Sequence, residues 1–414
     1  MKGPLEGVTV LDFTQYIAGP VATRQMAELG AEVIKVELAP KGDQARALPL
    51  IRDGRSAYFV QHNLGKKSLC LDLRKPAAIE ALKAMLPKID VVVENFSPGV
   101  IGRMGLGWEV VHAINPQIIM CSISAFGQSG PLAEQPGFDF IAQAYTGVTS
   151  MIGEPDEAPP LTGIAVGDVG AGISALAAIN AALYWRRGPG GTGQYLDISL
   201  IDFYFHTHGL SVELHSASGG TVHPHRTGRY HTQLAPLGVF RSRDGYMMVV
   251  PVSDDMWRRL TVAMGREDLQ TDPRFAENAA RMANRDALVA IIEAWLTAQP
   301  SDEAALDVLR RSRVPCAPVL SVAQAMRNPH LLARGTIRDV NDPVLGRFQV
   351  PGSPLNFSAF PQATGLVAPD LGEHNAEILA RWAGYGGADI ERLAAEGVVH
   401  AIPSRRLRPW PESA

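Results

Sequence analysis

Val8-Thr-Val-Leu-Asp-Phe13 opens the stretch that decides the fold, and the segments 20–29 and 32–37 (Glu-Val-Ile-Lys-Val-Glu) complete it. The first segment is rich in β-branched and apolar residues, which is typical of a buried strand. The second has helical spacing and is followed by Gly30, a residue type that commonly ends helices. The third is again strand-like, so the three segments form one βαβ unit. Because such a unit joins parallel strands, it predicts an α/β fold with helices covering a parallel sheet.

The same alternation continues outward from this unit. Further strands are predicted at 68–73, 89–94, 118–123 and 194–199. Helices are predicted from Pro76, near 108–114, and from about Val169, where the sequence is rich in Gly and Ala. We therefore predict a doubly wound, Rossmann-like large domain.

A second domain is expected after a loop at 219–231 that is rich in Gly, His, Arg and Thr. Asp244-Gly245 is a strong hairpin signal between two strand-like segments, and helical patterns follow near 254–264 and 285–297. These elements predict a smaller α+β domain. The predicted domains are 1–225 (large), 226–335 (small) and 336–414 (linker and C-terminal helices), with about 350–414 rejoining the large domain.

Composition places the chain among ordinary globular proteins. Of its 414 residues, 46% are hydrophobic and 19% are charged, and 38 basic against 42 acidic residues give a net charge of −4. The chain has no excess of basic residues that would indicate a nucleic-acid partner. The cysteines Cys70, Cys121 and Cys316 lie far apart without CxxC spacing, so we expect reduced thiols and no structural zinc site.

The longest uncharged helical stretch, 169–185, contains Gly, Ser and Asn and is shorter than the ~20 apolar residues of a membrane span. We interpret it as a helix buried in protein, and we expect a cytoplasmic protein without a membrane partner. Several other kinds of site lack their motifs. The turn Gln15-Tyr-Ile-Ala-Gly-Pro20 has one glycine where a dinucleotide site needs three, and there is no Walker loop or GxSxG elbow.

The histidine pairs His206/His208 and His223/His225 have a spacing that points to different helix faces, and no carboxylate accompanies them. The sequence therefore predicts no metal site. The more informative stretch is 163–175, where Asp168 precedes a long apolar helix among glycines. A carboxylate there could simply serve the helix terminus, with small residues allowing helices to pack closely. Alternatively, the glycines leave space for a ligand, and an ionised carboxylate can act as a nucleophile.

Motifs across nearly the whole chain favour the second interpretation. In these motifs the chain resembles the family III CoA-transferases, which include formyl-CoA transferase and carnitine CoA-transferase and are related to α-methylacyl-CoA racemases. The carrying segments are 11–14 with 18–20, 29–37, 93–99 with 103–107, 137–143, Gly167-Asp168, 191–199, 314–319 and 371–374.

The resemblance implies that Asp168 attacks an acyl-CoA thioester, forming a mixed anhydride and then an aspartyl-CoA thioester that a carboxylic acid opens. CoA thioester is thus a substrate, and no permanently bound cofactor is implied. Family members form homodimers whose chains interlock, which implies the same here. The positions implied to contact CoA are Leu71, Asp72, Leu73, Arg74, Asn95, Phe96, Ser97, Arg103, Gly137 and Phe138.

Three departures from formyl-CoA transferase bear on the substrate. Ile17 replaces an active-site glutamine, and Leu38 replaces an arginine near the adenosine, for which Lys41 and Arg46 are the two candidate substitutes. The glycine-rich flap is absent, and the segment 226–235 lies in its place. Since that segment carries Arg, His and Gln donors, we expect a dicarboxylate substrate rather than formate.

Two alternatives remain at this stage. The related racemases use a histidine at the position of Phe138, and a phenyl ring carries no proton, so α-proton exchange would lack one partner. A non-catalytic acyl-CoA-binding protein would share the CoA contacts without needing the chemistry of Asp168.

Overall fold

The computed structural model describes residues 3–402, which form two compact units. The large unit contains the chain up to Thr146, Gly163–Thr207, and the chain from Pro329 onward. The small unit contains Gly147–Thr162 and His208–Asn328. Each unit is therefore built from segments that are distant in sequence.

These boundaries differ from the predicted 225/226 and 335/336. The small unit begins earlier, at His208, and it recruits Gly147–Thr162, which the sequence interpretation left in the large domain. Hydrogen bonds explain the recruitment, since Arg226 Nε donates to the carbonyl of Glu154 at 2.8 Å and Gly228 N donates to the carbonyl of Gly153. Such long-range pairing has no local sequence signal.

The predicted parallel sheet covered by helices is confirmed. The strands of this part of the chain are β1 (Thr9–Asp12), β2 (Glu32–Leu38), β3 (Ile51–Arg52), β4 (Arg55–Ser56), β5 (Lys67–Leu71), β6 (Val91–Glu94), β7 (Ile119–Ser124) and β8 (Gln194–Ser199). Six of them form one parallel sheet in the order β5-β2-β1-β6-β7-β8, whereas β3 and β4 form a separate two-stranded hairpin.

Helices alternate with these strands. They are α1 (Ala18–Glu28), α2 (Ala57–Asn63), α3 (Pro76–Met85), α4 (Val100–Arg103), α5 (Trp108–Ile114), α6 (Asp139–Tyr145), α7 (Val166–Arg186) and α8 (Leu200–His206), with 3₁₀ turns at Gln44–Ala47 and Leu86–Lys88. α3 begins with Pro76, where the missing N–H costs the helix nothing. Side chains of β1, β2, β5, β6 and α3 share one buried apolar cluster.

The strand order places a crevice between the central strands β1 and β6, at the carboxyl ends of the strands. β1 pairs in parallel with both β2 and β6. After β1 the chain adds β2 and β5 on one side of it, and then β6, β7 and β8 on the other side. At such a switch point the loops after neighbouring strands diverge, and ligands of open α/β sheets bind there.

Helix α7 has the length and apolar composition of a membrane span, and half of its most apolar window is buried inside the structure. It packs against α1 at very short range, since a Cβ on Gly172 would lie 2.5 Å from the carbonyl oxygen of Ala18. This packing agrees with the interpretation of 169–185 as a helix inside the protein.

The small unit combines helices with a three-stranded antiparallel sheet. Its elements are α9 (Ser211–Ala217), β9 (Gly238–Arg241), β10 (Tyr246–Val249), α10 (Asp254–Ala263), α11 (Asn278–Ala283), α12 (Arg285–Ala298), α13 (Asp302–Arg311), β11 (Cys316–Pro318) and α14 (Val322–Ala325), with 3₁₀ turns at Thr149–Met151 and Glu267–Gln270. β9 and β10 form the predicted hairpin, and β11 adds an antiparallel third strand. Phe240, Trp257 and Phe275 lie in its core.

The chain then returns to the large unit. The last elements are α15 (Pro329–Ala333), β12 (Ile337–Asp342), β13 (Gly346–Pro351), α16 (Asn375–Ile378), a π-helical turn (Leu379–Ala383) and α17 (Gly387–Ala395). His400 N donates to the carbonyl of Cys70, so the C-terminal segment lies beside the edge strand β5. Cys70, Cys121 and Cys316 are free thiols, as predicted.

Candidate active site

A cavity of about 350 Å³ lies where β1, β6 and β7 end. It is lined by residues that directly follow these strands, by the segment before α6, and by Asp168 of α7. The lining residues are Gln15, Tyr16, Ile17, Ala18, Gln44, Asn95, Phe96, Ser97, Pro98, Ile123, Ser124, Ala125, Phe126, Ala133, Gln135, Pro136, Gly137, Phe138, Asp168 and Leu200. The fold thus brings residues from distant parts of the sequence to the switch point.

Asp168 is held through its backbone. Asp168 N donates to Asp139 Oδ2 at 2.8 Å, and Tyr204 Oη donates to Asp139 Oδ1 at 2.6 Å. Tyr204 and Asp139 are buried, whereas Asp168 is half-buried and lines the cavity. Asp139 therefore fixes the backbone of Asp168, and this contact does not involve the carboxylate oxygens of Asp168.

The electrostatic setting of Asp168 is unusual for a carboxylate. Burial, and in addition the negative charge of Asp139, raise the pKa of the Asp168 carboxyl to about 7. Both effects penalise the ionised form. An ionised carboxylate in this position is poorly solvated and has a higher basicity than a surface aspartate, which favours nucleophilic attack.

The glycines around Asp168 have a different role from the predicted one. A Cβ on Gly167 would lie 2.2 Å from the Tyr204 ring, and a Cβ on Gly170 would lie 2.0 Å from the Phe203 ring. The prediction that the glycines leave space for a ligand is therefore wrong at these two positions. They allow α8 to pack against α7, which is the structural alternative that the sequence left open, and this packing brings Tyr204 to Asp139.

Asn95 joins the ends of β1 and β6. Its Oδ1 accepts from Gln15 N and its Nδ2 donates to the Gln15 carbonyl, both at 2.8 Å. The next residue, Tyr16, has a left-handed backbone with φ of 63°. Its ring contacts Phe138 edge to face, with centroids 6.3 Å apart. Asn95 therefore shapes the loop that carries Tyr16 into the cavity.

A second cavity, of about 830 Å³, adjoins the first and shares Gln15, Tyr16 and Gln44 with it. It is bounded by residues after β2, by the segment around β4, and by the C-terminal segment. The lining residues are Gln15, Tyr16, Leu38, Ala39, Pro40, Lys41, Gly42, Asp43, Gln44, Arg46, Ala47, Leu48, Gly54, Arg55, Ser56, Phe59, Asp370, Leu371 and Ile402.

The charged groups of this second cavity differ in their availability. Arg46 binds Glu37 with two 2.7 Å contacts and stacks on Phe59 at 3.7 Å. Lys41, in contrast, is exposed and makes no ion pair or hydrogen bond with another residue in the described range 3–402. Of the two candidates for the missing arginine, only Lys41 has a free charge.

The structure separates the predicted CoA contacts into two groups. Asn95, Phe96, Ser97, Gly137 and Phe138 line the cavity of Asp168. The others, which do not line it, are Leu71, Asp72, Leu73, Arg74 and Arg103.

The second group lies at the ends of β5 and α4. Leu71 accepts a hydrogen bond from Ala39 N, beside the second cavity. Arg74 is 81% exposed and pairs with Asp72 at 2.8 Å, and Arg103 is an exposed residue at the end of α4.

Several functional candidates carry no sequence signal of their own. Tyr204 lies in an ordinary helix, and only the packing of α8 on α7 brings it to Asp139. Gln44 follows β2, far from Asp168 in sequence, and a 3₁₀ turn places it in the cavity. Asp139 lies within the family motif at 137–143, which could have identified it.

Comparison with known proteins gives a consistent answer. The family model "CoA-transferase family III" matches residues 5–375. The chain is 35% identical to a succinyl-CoA–D-citramalate CoA-transferase of Chloroflexus aurantiacus, over 96% of this chain and 98% of that protein. It is 36% identical to an acetyl-CoA:oxalate CoA-transferase of Acetobacter aceti, over 92% and 96% of the two chains.

A solved structure agrees with these relatives. The crystal structure of a CaiB/BaiF family protein from Brucella suis superimposes with a TM-score of 0.81 and 34% identity, over 92% of this chain and all of that one. The resemblance inferred from the motifs is thereby confirmed, and the chain belongs to CoA-transferase family III.

Proposed function

We propose that this CoA-transferase works through covalent intermediates on Asp168. The observation that carries the proposal is the half-buried Asp168 carboxylate, which lines a cavity at the switch point of the sheet and has a pKa raised to about 7. In an α/β sheet this is the expected place for a ligand. The fixed backbone of Asp168 supplies the rigidity that a nucleophile needs.

The proposed reaction balances without an external reagent. An Oδ atom of Asp168 attacks the thioester carbon, the C–S bond breaks, and an acyl-aspartyl anhydride and CoA thiolate form. The thiolate attacks the Asp168 carbonyl, which releases the first carboxylate and leaves an aspartyl-CoA thioester. The acceptor carboxylate then repeats the two steps in reverse order, so the product thioester leaves and the Asp168 carboxylate is regenerated.

The two cavities offer a path for a long CoA thioester. We place the reactive end beside Asp168 and the pantetheine arm along Asn95, Phe96 and Ser97. The nucleotide would lie beyond Tyr16, towards Leu71–Arg74 and the second cavity. Among the residues of 3–402 that line the second cavity, Lys41 is a cation without an ion pair, and it would bind a phosphate group in the place of the arginine that Leu38 replaces.

Mutation of Lys41 tests this placement. Lys41→Ala removes a phosphate contact, so we expect a several-fold higher KM for acyl-CoA and an unchanged KM for the 3′-dephospho analogue if the contact is to the 3′-phosphate. Arg74→Ala is the matched test for a predicted CoA contact with a positive charge on the same side. If Lys41→Ala and wild type have the same KM for acyl-CoA and also the same KM for its 3′-dephospho analogue, the assignment of Lys41 is wrong.

We further propose that one substrate is a dicarboxylic acid. The curated relatives named above are CoA-transferases of D-citramalate and oxalate. Exchange assays with succinyl-CoA and matched acceptors, such as glutarate against valerate, test this. Equal or faster turnover with the monocarboxylates would exclude the dicarboxylate proposal but not the transferase chemistry.

Mass spectrometry tests the covalent mechanism directly. Enzyme incubated with acyl-CoA and quenched with hydroxylamine should carry a hydroxamate at Asp168, because hydroxylamine opens both anhydride and thioester. Asp168→Asn should lose exchange and keep CoA binding. Exchange by Asp168→Asn at the wild-type rate, or a label at another residue, would refute the proposal, and α-proton exchange without CoA transfer would support the racemase.

Finally, we propose a Rossmann-like, interlocked homodimer. Phe140 and Ile141 of α6 and Ile164, Val166 and Val169 near the start of α7 are exposed apolar side chains. Clustered exposed apolar groups commonly mark an interface. A second chain that covers them would also help to exclude water from Asp168, whose acyl intermediates hydrolyse.

A further inference from the structure

We infer that Gln44 donates a hydrogen bond to the substrate carbonyl oxygen that becomes negatively charged during attack by Asp168, and that Tyr16 is its positioning residue. This inference rests on the proposed function. It names the group that stabilises the oxyanion in this particular chain.

The geometry begins with the wall between the two cavities. Gln44 and Tyr16 line both of them. Tyr16 Oη donates to Gln44 Oε1 at 2.8 Å. This bond occupies the carbonyl oxygen of the Gln44 amide and therefore leaves Nε2 as the free end. No residue within 3–402 accepts a hydrogen bond from Gln44 Nε2.

A buried ion pair holds this wall in place. Asp43 Oδ1 accepts from Ala45 N at 2.9 Å, which caps the 3₁₀ turn that carries Gln44. The same oxygen accepts from Tyr16 N at 3.3 Å. Lys35 Nζ lies 2.8 Å from Asp43 Oδ2, and both side chains are almost fully buried. One carboxylate therefore fixes both partners of the Tyr16–Gln44 hydrogen bond.

Other polar groups in the cavity are less suited to the role. The amide of Asn95 binds the Gln15 backbone with both ends. Ser124 Oγ is buried and has no hydrogen-bond partner among residues 3–402, so no contact orients it as a donor. Gln15 and Gln135 line the cavity, but no residue in 3–402 fixes their side-chain amides. Ile17, on the same loop as Tyr16, has no donor.

The chemistry requires such a donor. When Asp168 Oδ bonds to the thioester carbon, the π electrons of the C=O bond move to the carbonyl oxygen. The resulting oxyanion accepts from Gln44 Nε2 until the C–S bond breaks and the C=O bond re-forms. A donor that is already oriented contributes more in the transition state than in the ground state, so its loss lowers kcat rather than raising KM.

Kinetics of single variants give the first test. Gln44→Leu should lower kcat by about 100-fold, as removal of one oxyanion donor does in other enzymes, with little change in KM. Tyr16→Phe keeps the ring but frees the amide to rotate, so kcat should fall several-fold. Gln117→Leu, a surface substitution on the same unit, is the matched control and should retain the wild-type rate.

Rescue gives the second test. Ile17 lines the same cavity, so Ile17→Gln in the Gln44→Leu background places a new amide there and should recover part of kcat. A merely structural role for Gln44 would not be rescued from position 17. A Gln44→Leu enzyme with wild-type kcat, or one affected only in KM, would overturn the inference.

One measurement, adduct formation at Asp168, distinguishes failure of the proposed function from failure of the role of Gln44. If the wild-type enzyme forms no adduct at Asp168 with acyl-CoA, the proposed function fails. If wild type and Gln44→Leu form the adduct at the same rate in single-turnover quench experiments, only the role of Gln44 fails.

Discussion

At the scale of single residues, the site depends on two carboxylates with different tasks. Asp139 accepts hydrogen bonds from Asp168 N and Tyr204 Oη, and it therefore acts as a fixed acceptor. Asp168 accepts none of these and is free to react. Burial, and in addition the negative charge of Asp139, raise the pKa of Asp168, so the residue that positions Asp168 also affects its charge state.

This coupling predicts the pH dependence of exchange. Burial and Asp139 raise the pKa of Asp168 to about 7, and only the ionised carboxylate attacks, so kcat/KM should rise with pH through about 7 and then level off. In Asp139→Asn the charge is lost, while the amide oxygen can still accept from Asp168 N and the amide nitrogen can donate to Tyr204 Oη. The acidic limb of the profile should therefore move to lower pH, and an unmoved limb would show that Asp168 does not control it.

At the scale of elements, the contact between α7 and α8 builds the site. Gly167 and Gly170 let the Tyr204 and Phe203 rings approach the backbone of α7 more closely than any Cβ would permit. The interface is thus a condition for the Tyr204–Asp139 hydrogen bond, and through it for the position of Asp168.

Two alanine variants, one inside the helix contact and one outside it, test this packing. Gly167→Ala should displace Tyr204 and reduce kcat by at least ten-fold, because the built Cβ lies 2.2 Å from the ring. Gly163→Ala, with open space around the new Cβ, is the matched control and should leave exchange unchanged. Similar activity of both variants would show that the contact between the helices is not critical.

A buried arginine ties the β3–β4 hairpin to the C-terminal part of the large unit. Arg55 pairs with Asp342 at 2.7 Å and Asp370 at 3.0 Å, and all three side chains are almost inaccessible. Arg55→Ala removes the buried cation that faces two buried carboxylates, so we expect a loss of about 3–5 kcal/mol in the free energy of unfolding.

Urea unfolding monitored by circular dichroism measures this loss. The exposed pair Arg347–Asp339 on the same β12–β13 hairpin provides the control, since Arg347→Ala should leave the free energy of unfolding nearly unchanged. Equal destabilisation by both variants would contradict the argument from burial.

At the scale of the whole molecule, the chain leaves the large unit after Thr207 and rejoins it at Pro329. If two such chains interlock as proposed, each monomer would have to unfold before the dimer could dissociate. The exposed apolar side chains of α6 and α7 would be covered in that assembly.

Subunit exchange tests this assembly. Sedimentation should show a mass twice the 44.5 kDa of one chain at all accessible protein concentrations. Two differently tagged dimers mixed under native conditions should form no mixed species over hours, whereas mixing after denaturation and refolding should produce them. Rapid native exchange would exclude interlocking, and a monomer would exclude the dimer.

The sequence by itself determined the parallel sheet, the hairpin of the small unit and the family, and it led to the proposal of Asp168 as the nucleophile, because each depends on local pattern or on motifs. Predicted segments such as 20–29 and 194–199 lie close to the observed Ala18–Glu28 and Gln194–Ser199.

Only the tertiary structure decided where the small unit begins, what the glycines beside Asp168 contact, and how Tyr204 and Gln44 reach the site. These features depend on contacts between residues distant along the chain. Hydrophobic spacing records which face of an element is buried, but it does not record the partner against which that face packs.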